Sequence, residues 1–416
     1  MKTISFRKRI LSIILAATLL VCLCSCSGQT AKNLAEDISA DTVQVNHEKT
    51  NDIVTNDFAM ELFKKCLKEE DNTLISPMSV LCALAMTANG AEGETKAQME
   101  EVLGMNVEQL NQAVYSYRNS LPDKEKCKVT LSNSIWFTEH VRFTANEEFL
   151  QTNADYYGAD IFEAPFDNST VRDINNWVRR KTDGMITNVI DNIPSSAVMY
   201  LINALTFDAE WQEIYKKTQI WDGEFTAEDG TAKKTDFMYS EENYYLENEF
   251  GTGVMKYYKG GDCAFVALLP EEGMTIKEYV NSLTGADIYN MLENVQNVPV
   301  TTAIPKFETS FSLELADILQ QMGMTDAFDQ EKADFSGLGT SVDGNISIDR
   351  VLHKTYINVD EKGTKSGAVT IIEATDGCAI EVEEPKEVIL DRPFVYMIVD
   401  MENQVPLFVG TVMNVE

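Results

Sequence analysis

The chain has 416 residues, of which 66 are acidic and 34 basic, for a formal net charge of −32. So acidic a surface excludes nucleic acid or a heparin-type polyanion as a partner, and no Lys/Arg-rich helix face offsets it. The composition, 44% hydrophobic with no second linker in sight, implies one large domain.

At the start, Lys2, Arg7, Lys8 and Arg9 precede an almost unbroken apolar run from Ile10 to Leu23. This is the pattern of a bacterial export signal, too short and wrongly flanked for a membrane anchor. It ends in Leu23-Cys24-Ser25-Cys26, which resembles a lipobox. That predicts removal of residues 1–25, lipidation of Cys26 and attachment to the outer face of a membrane; ordinary cleavage and free secretion is the alternative. The mature chain is then more negative still. Residues 26–51 are polar and read as a flexible tether, leaving 52–416 as the folded domain.

Helical spacing of Ile53, Phe58, Leu62, Phe63 and Cys66 predicts a helix over Asp52 to Lys68. A short strand follows Asp71-Asn72, and Ser76-Pro77 opens a second helix that Asn89-Gly90 ends. A helix over Glu94 to Leu103, a strand over Val129 to Phe137 and a helix over Thr144 to Tyr157 come next. Then follow a helix over Asp173 to Lys181, a long strand over Val198 to Phe207 and several short strands between Trp221 and Leu269. Helices are predicted again over Thr275 to Gln296 and Ser312 to Met322, and strands over Phe394 to Val399 and Pro406 to Val412. Helices early, strands late and no βαβ alternation make an α+β domain. Cys66, Cys82, Cys127, Cys263 and Cys378 are odd in number and unlike metal motifs in spacing, so buried free thiols are expected rather than a disulfide framework. No cofactor is implied.

From Thr364 the chain alternates: Thr364, Ser366, Ala368, Thr370, Ile372 and Ala374 form a small or apolar parity, and both charges, Lys365 and Glu373, fall on the other. Such a segment can bury one face as a strand. Small inward residues let it slip between two other strands, and Gly363 supplies a hinge. The same composition also suits a surface loop.

Six motifs in order carry a family resemblance. Asn72-Thr-Leu-Ile-Ser-Pro-Met-Ser79, Gly90-Ala-Glu-Gly-Glu-Thr95 and Leu201-Ile-Asn-Ala-Leu-Thr-Phe207 with Trp211 are three of them. The others are Asp360-Glu-Lys-Gly-Thr364 with its small followers, Arg392-Pro-Phe394 and Pro406-Leu-Phe-Val-Gly410. Together they resemble the serpins, serine protease inhibitors, over residues 52–416. The resemblance implies three β-sheets with sheet A dominant, about nine helices, and an exposed reactive-centre loop at about 362–385. It also implies a monomer that is not an enzyme but a suicide inhibitor of serine proteases, with cysteine proteases as a second class. The protease cleaves the loop and is trapped as an acyl-enzyme while 364–374 inserts into sheet A. Twelve or so residues at ~3.3 Å each would carry it ~40 Å.

Carried over by motif, Glu361, Gly363, Thr364, Ser366, Ala368 and Thr370 match the loop hinge. Ser76, Ser79, Asn203 and His353 match the shutter, a polar cluster beneath sheet A, where a neutral His offers one donor and one acceptor. Trp211, Lys306 and Glu361 match the breach at the top of the sheet. The loop is longer than is common in the family, with an acidic insert around Glu381–Glu387, so the scissile bond falls within a window of Thr375, Asp376, Gly377, Cys378, Ala379 and Val382. Counting from Glu361 puts P1 at Gly377. Small apolar choices imply an elastase- or subtilisin-like target; Asp376 would suit an Asp-directed one. Ala209 replaces the family's usual Gly two residues before Trp211. No H-E-x-x-H, G-x-S-x-G, Walker or Rossmann fingerprint supports an enzyme. The rival reading is a non-inhibitory serpin acting as a carrier, chaperone or surface interaction protein, which the small hinge residues disfavour.

Overall fold

The computed structural model describes residues 30–34, 38, 40, 43, 50–139, 141–195, 197–348, 350–364 and 385–415. Among these there are nine α-helices: α1 (Thr50–Cys66), α2 (Pro77–Ala88), α3 (Gly93–Leu103), α4 (Val107–Ser120), α5 (Glu147–Tyr157), α6 (Asn168–Lys181), α7 (Ile276–Ser282), α8 (Gly285–Glu293) and α9 (Ala316–Met322). Strands β1 (Lys32–Asn33), β2 (Thr73–Ile75), β3 (Asp123–Lys124), β4 (Cys127–Thr138), β5 (Phe143–Ala145), β6 (Asp160–Ala164) and β7 (Met199–Glu210) come in the first half. They are followed by β8 (Ile220–Thr226), β9 (Ala232–Asn248), β10 (Gly251–Tyr257), β11 (Cys263–Pro270), β12 (Gln296–Pro305) and β13 (Phe307–Glu314). The last are β14 (Gly339–Ser341), β15 (Leu352–Val359), β16 (Gly363–Thr364), β17 (Lys386–Ile389), β18 (Phe394–Asp400) and β19 (Val405–Val412).

Three sheets result. An eight-stranded one runs β1-β6-β4-β7-β16-β15-β13 with β3 beside β4; it is the sheet A of the expectation. A nine-stranded one runs β17-β12-β9-β10-β11-β18-β19-β2 with β8 beside β9, and β5 pairs with β14 in the third. The last strands, β18 and β19, are buried at every position because the main core covers both their faces. Pro77 at the first turn starts α2, and all of α2 but Ala83 is buried beneath β7 and β19. On the opposite face of the eight-stranded sheet, α6 lays Ile174, Trp177 and Val178 over Trp136 and Phe162, whose rings stack at 4.2 Å.

Several predicted elements change. Thr144 and Ala145 belong to β5, and Asn146 caps α5 by accepting from the Glu148 N–H. The helix expected over Thr275 to Gln296 is two: Thr284 forms a capping box with Asp287 and starts α8 afresh. Ser312 lies in β13, not a helix, because Phe307, Thr309 and Phe311 alternate inward with period two. Helix α4, not foreseen, is started by the Asn106–Gln109 capping box.

The supposed tether at 26–51 also differs over Thr30–Leu34. Here β1 pairs antiparallel with β6, and the Leu34 N–H bonds the Ile161 carbonyl at 2.8 Å. Asp173 explains the docking: its Oδ2 accepts from the Thr30 N–H, the Thr30 hydroxyl and the Ala31 N–H at 2.8–3.1 Å. A charged acceptor with three donors makes strong hydrogen bonds.

Candidate functional site

The eight-stranded sheet has a cleft down its middle. At its top the two residues of β16 sit between β7 and β15, pairing Gly363 with Glu210, and Thr364 with both Ala209 and Val359. Thr364 is thus 2% exposed, its hydroxyl 2.5 Å from that of Tyr258. A reactive loop starting at about 362 was expected to be exposed; Gly363 and Thr364 are instead part of the sheet. The reason is steric. A Cβ at Gly363 would overlap the Ala209 carbonyl oxygen, so only glycine lets the chain approach β7 this closely, and small Thr364 fits behind it.

Around this seat Trp211, Lys306 and Glu361 converge. The Trp211 indole N–H donates to the Asp360 carbonyl and its backbone N–H to the Lys362 carbonyl, both at 2.8 Å. The Tyr215 N–H donates to the Glu361 carbonyl at 2.9 Å. The turn Asp360–Gly363 is closed on itself by the Asp360 carboxylate, which accepts from the Lys362 N–H at 2.8 Å. Lys306 lies 3.0 Å from Glu361 and 3.2 Å from Asp236. Burial pulls the Lys306 ammonium down, but the hydrogen bonds it donates to both carboxylates hold it above its ordinary value. Glu361 shows the converse: burial pulls it up, and the bond from Lys306 leaves it net lowered. Beneath, Trp211 stacks on Tyr258 at 4.5 Å. The buried Lys256 ammonium sits 4.6 Å from the Tyr215 ring centroid and pairs with Glu242.

Below Thr364, no described strand bridges β7 and β15. A cavity of about 530 Å³ occupies the gap, with Ser79, Ile202, Asn203, Leu352 and His353 among its walls. The Ser79 hydroxyl donates to Asn203 Oδ1, Asn203 donates to Asn133 Oδ1, and Asn133 donates to the Tyr157 carbonyl at 2.8 Å. On the other wall the Ser76 N–H donates to His353 Nε2 at 3.0 Å. His353 is 5% exposed, and burial lowers its pKa to about 4, so the ring is neutral and its proton lies on Nδ1. The four polar residues expected in one cluster therefore form two separate chains. The gap keeps Asn203 and His353 on opposite walls, and the Ser76 hydroxyl has no partner among the described residues.

A family model described as Serpin (serine protease inhibitor) matches residues 54–415. The chain belongs to the serpin family. It shares 29% identity over 382 residues, 90% of this chain and 88% of the relative, with an uncharacterized serpin-like protein from Thermococcus kodakarensis. With the alpha-1-antiproteinase of Rattus norvegicus it shares 28%, covering 92% of this chain and 94% of that one. Tengpin, a thermophilic serpin, superposes in its native state with a TM-score of 0.88 at 46% identity, covering 93% of this chain and all of the other. The latent state of tengpin fits less well, with a TM-score of 0.81. Serpins are mostly protease inhibitors rather than catalysts, and they form complexes with their target proteases.

Of the residues expected in the hinge of this serpin, Glu361, Gly363 and Thr364 are described. Ser366, Ala368 and Thr370, also expected there, lie outside the described residues. So do the whole expected scissile-bond window, Thr375, Asp376, Gly377, Cys378, Ala379 and Val382, and Cys26, the expected site of lipidation. Reasoning from the sequence missed Tyr258, Tyr215, Asp236 and Asn133. Asn133 lies in the polar run Ser132-Asn133-Ser134, buried in the middle of β4, and that run was readable; Tyr258 carried no signal, since it meets Thr364 across 106 residues. The four described cysteines are buried free thiols, as expected.

Proposed function

We propose that this serpin is a suicide inhibitor of serine proteases. A protease cleaves the loop beyond Thr364 and is held as an acyl-enzyme while residues 364–374 enter the cleft between β7 and β15. The observation that carries this reading is the cleft itself, already started at its top by Gly363 and Thr364 and lined by two strands whose facing edges, below Thr364, lack a described partner. The better fit to native than to latent tengpin supports a chain whose sheet still has room. Insertion would complete ladders on both sides, at about 1 kcal/mol net per hydrogen bond, and bury the apolar parity of the loop besides. Glu361, Lys306 and Trp211 act as the breach that holds the hinge base. Ser76, Ser79, Asn203 and His353 act as the shutter lining the path. The small residues of 375–382 favour an elastase- or subtilisin-like target.

The test is to mix the protein with elastase-, subtilisin-, trypsin- and chymotrypsin-like proteases. An SDS-stable complex is expected with at least one, and N-terminal sequencing of the released C-terminal peptide gives P1. Cleavage by all four without a complex would instead support a non-inhibitory carrier or surface protein. Human thyroxine-binding globulin, solved in complex with thyroxine and sharing 24% identity at a TM-score of 0.77, has this fold too. Attachment to a membrane through lipidated Cys26 is part of the same proposal. Cys26→Ser should release the protein from the membrane fraction, and unchanged fractionation would refute the anchor.

A further inference from the structure

Helix α6 departs from the acidity of the rest of the chain. Against the expectation of no Lys/Arg-rich helix face, it exposes Arg172, Arg179, Arg180 and Lys181. Three of the seven arginines beyond residue 25 are on this one helix. Its acidic residue, Asp173, is buried and accepts from Thr30 and Ala31. Ile174, Trp177 and Val178 face the sheet, so Arg172, Asn176 and Arg179, four and three positions apart, line the outward stripe with Arg180 on its flank. Lys181 is neutralised by Asp160 at 2.9 Å, whereas Arg172, Arg179 and Arg180 have no salt bridge among the described residues. Asp167 and Asp183, the nearest exposed acids along the chain, stand just outside the two ends of the helix. Cations in a last turn offset the helix dipole, which accounts for Arg179 and Arg180 but not for Arg172 in the second turn.

We propose that the outward face of α6 rests on an anionic phospholipid bilayer, and that its arginines and the docked Thr30–Leu34 segment together orient a protein anchored at Cys26. The inference rests on the proposed lipidation of Cys26. Thr30 is fixed to Asp173, and the chain from Cys26 to Thr30 spans at most about 14 Å. Arg172 adjoins Asp173 in sequence, and Arg180 is seven residues farther on, about 10 Å along the helix. Anchor and arginines therefore reach the same patch of membrane. A free tether over 26–51 would extend up to about 80 Å and leave the orientation open. Charge then chooses the side. The chain carries a formal −32, so other rotations about the anchor turn an acidic surface toward the lipid phosphates, and at about 8 Å, the Debye length, that repulsion is felt. Turning α6 down presents guanidinium groups instead, whose forked donors match phosphate oxygens. Held so, the eight-stranded sheet has α6 and the bilayer on one side and the nine-stranded sheet on the other.

The test uses the protein made in a bacterial host with its own leader and purified from the membranes. It is added to preformed vesicles, either phosphatidylglycerol with phosphatidylcholine at equal parts or phosphatidylcholine alone, and floated. The vesicles are treated with arginine- and lysine-modifying reagents that do not cross bilayers, and the protein is peptide-mapped. Arg172, Arg179 and Arg180 should react several-fold more slowly on the anionic vesicles than on the neutral ones. Arg350, at the opposite edge of the eight-stranded sheet beside β13, should react equally on both. In 0.5 M salt the difference should vanish, as expected at a Debye length of a few Å. Lys181 gives the same readout in the variant Arg172→Gln/Arg179→Gln/Arg180→Gln, whose three changes are at exposed positions. Its protection on anionic vesicles should be lost there, while the variant still floats. Equal modification of the α6 arginines on both vesicles, protection of Arg350 as well, or protection of Lys181 that survives the triple change would overturn the orientation and leave the anchor standing. A protein that floats with neither vesicle would overturn the anchor and the orientation together.

Discussion

The hydroxyls of Thr364 and Tyr258 lie 2.5 Å apart in a fully buried contact between residues 106 positions distant. This bond couples the second residue of β16 to the nine-stranded sheet and, through the Tyr258–Trp211 stack, to the turn at Asp360. Tyr258→Phe keeps the ring and strands the Thr364 hydroxyl, a change of about 1–3 kcal/mol for a buried unsatisfied group. Thermal unfolding of the uncleaved protein is expected to fall by a few degrees. Thr364→Arg is harsher, because it forces an unpaired charge into the seat. It should expel the hinge and abolish the covalent complex; inhibition that survives it unimpaired would mean that insertion is not the mechanism.

Lys306 holds Glu361 and Asp236 at once, with both Lys306 and Glu361 about a third exposed. So exposed a pair stabilises by no more than about 1 kcal/mol. Lys306→Met should therefore shift unfolding only slightly. Glu361→Lys does more, since it sets two ammonium groups together over the turn that holds the hinge. Expected outcomes are lower thermal stability and polymers on size-exclusion chromatography. A monomeric variant with unchanged unfolding would refute a holding role for this pair.

Much of this site was legible because its signals are local. Ser76-Pro77 announces a helix start, and the parity of Thr364 puts its side chain inward, where the structure has it. Asp360-Glu-Lys-Gly resembles a hinge, and its glycine does meet a backbone that no Cβ could approach. Other features depended on contacts that no window of sequence contains. Tyr258 and Asp236 reach the hinge only after the two sheets have packed. The docking of Thr30–Leu34 needs Asp173, far along the chain, and without it the segment's polar composition reads as free linker. The misread of Ser312 is of another kind: the alternation of Phe307, Thr309 and Phe311 was present, but the helical residues after it masked the change of period.

Asn203 ties β7 to β4 through Asn133 and to α2 through Ser79, on the wall of the cleft. Asn203→Ala leaves the Asn133 carbonyl oxygen and the Ser79 hydroxyl without these partners, at about 1–3 kcal/mol for each group that water does not reach. The native form is expected to unfold at lower temperature and to convert more readily to an inserted, protease-resistant form without any protease cut. Incubation below the unfolding midpoint, followed by limited proteolysis of the loop, measures this. A variant that loses stability without faster conversion would assign Asn203 to folding alone.

His353 makes the other wall sensitive to pH. Its pKa falls from 6.5 to about 4 because burial disfavours the charged ring, and Nε2 is occupied as acceptor from the Ser76 N–H. A folded pKa below the unfolded one means that the unfolded chain takes up the proton first. The contribution is therefore complete above about pH 6.5 and is lost as pH falls toward 4, below which both states are protonated. A shift of this size corresponds to roughly 3 kcal/mol. Thermal unfolding measured at intervals from pH 7 to 4.5 should show a progressive loss over that window. Carboxylates titrate at its lower end as well, so the comparison that isolates the ring is His353→Gln, whose amide oxygen can still accept from Ser76 but cannot gain a charge. Between pH 6.5 and 5 the variant should lose less stability than the parent; parallel curves would show that His353 does not carry the effect.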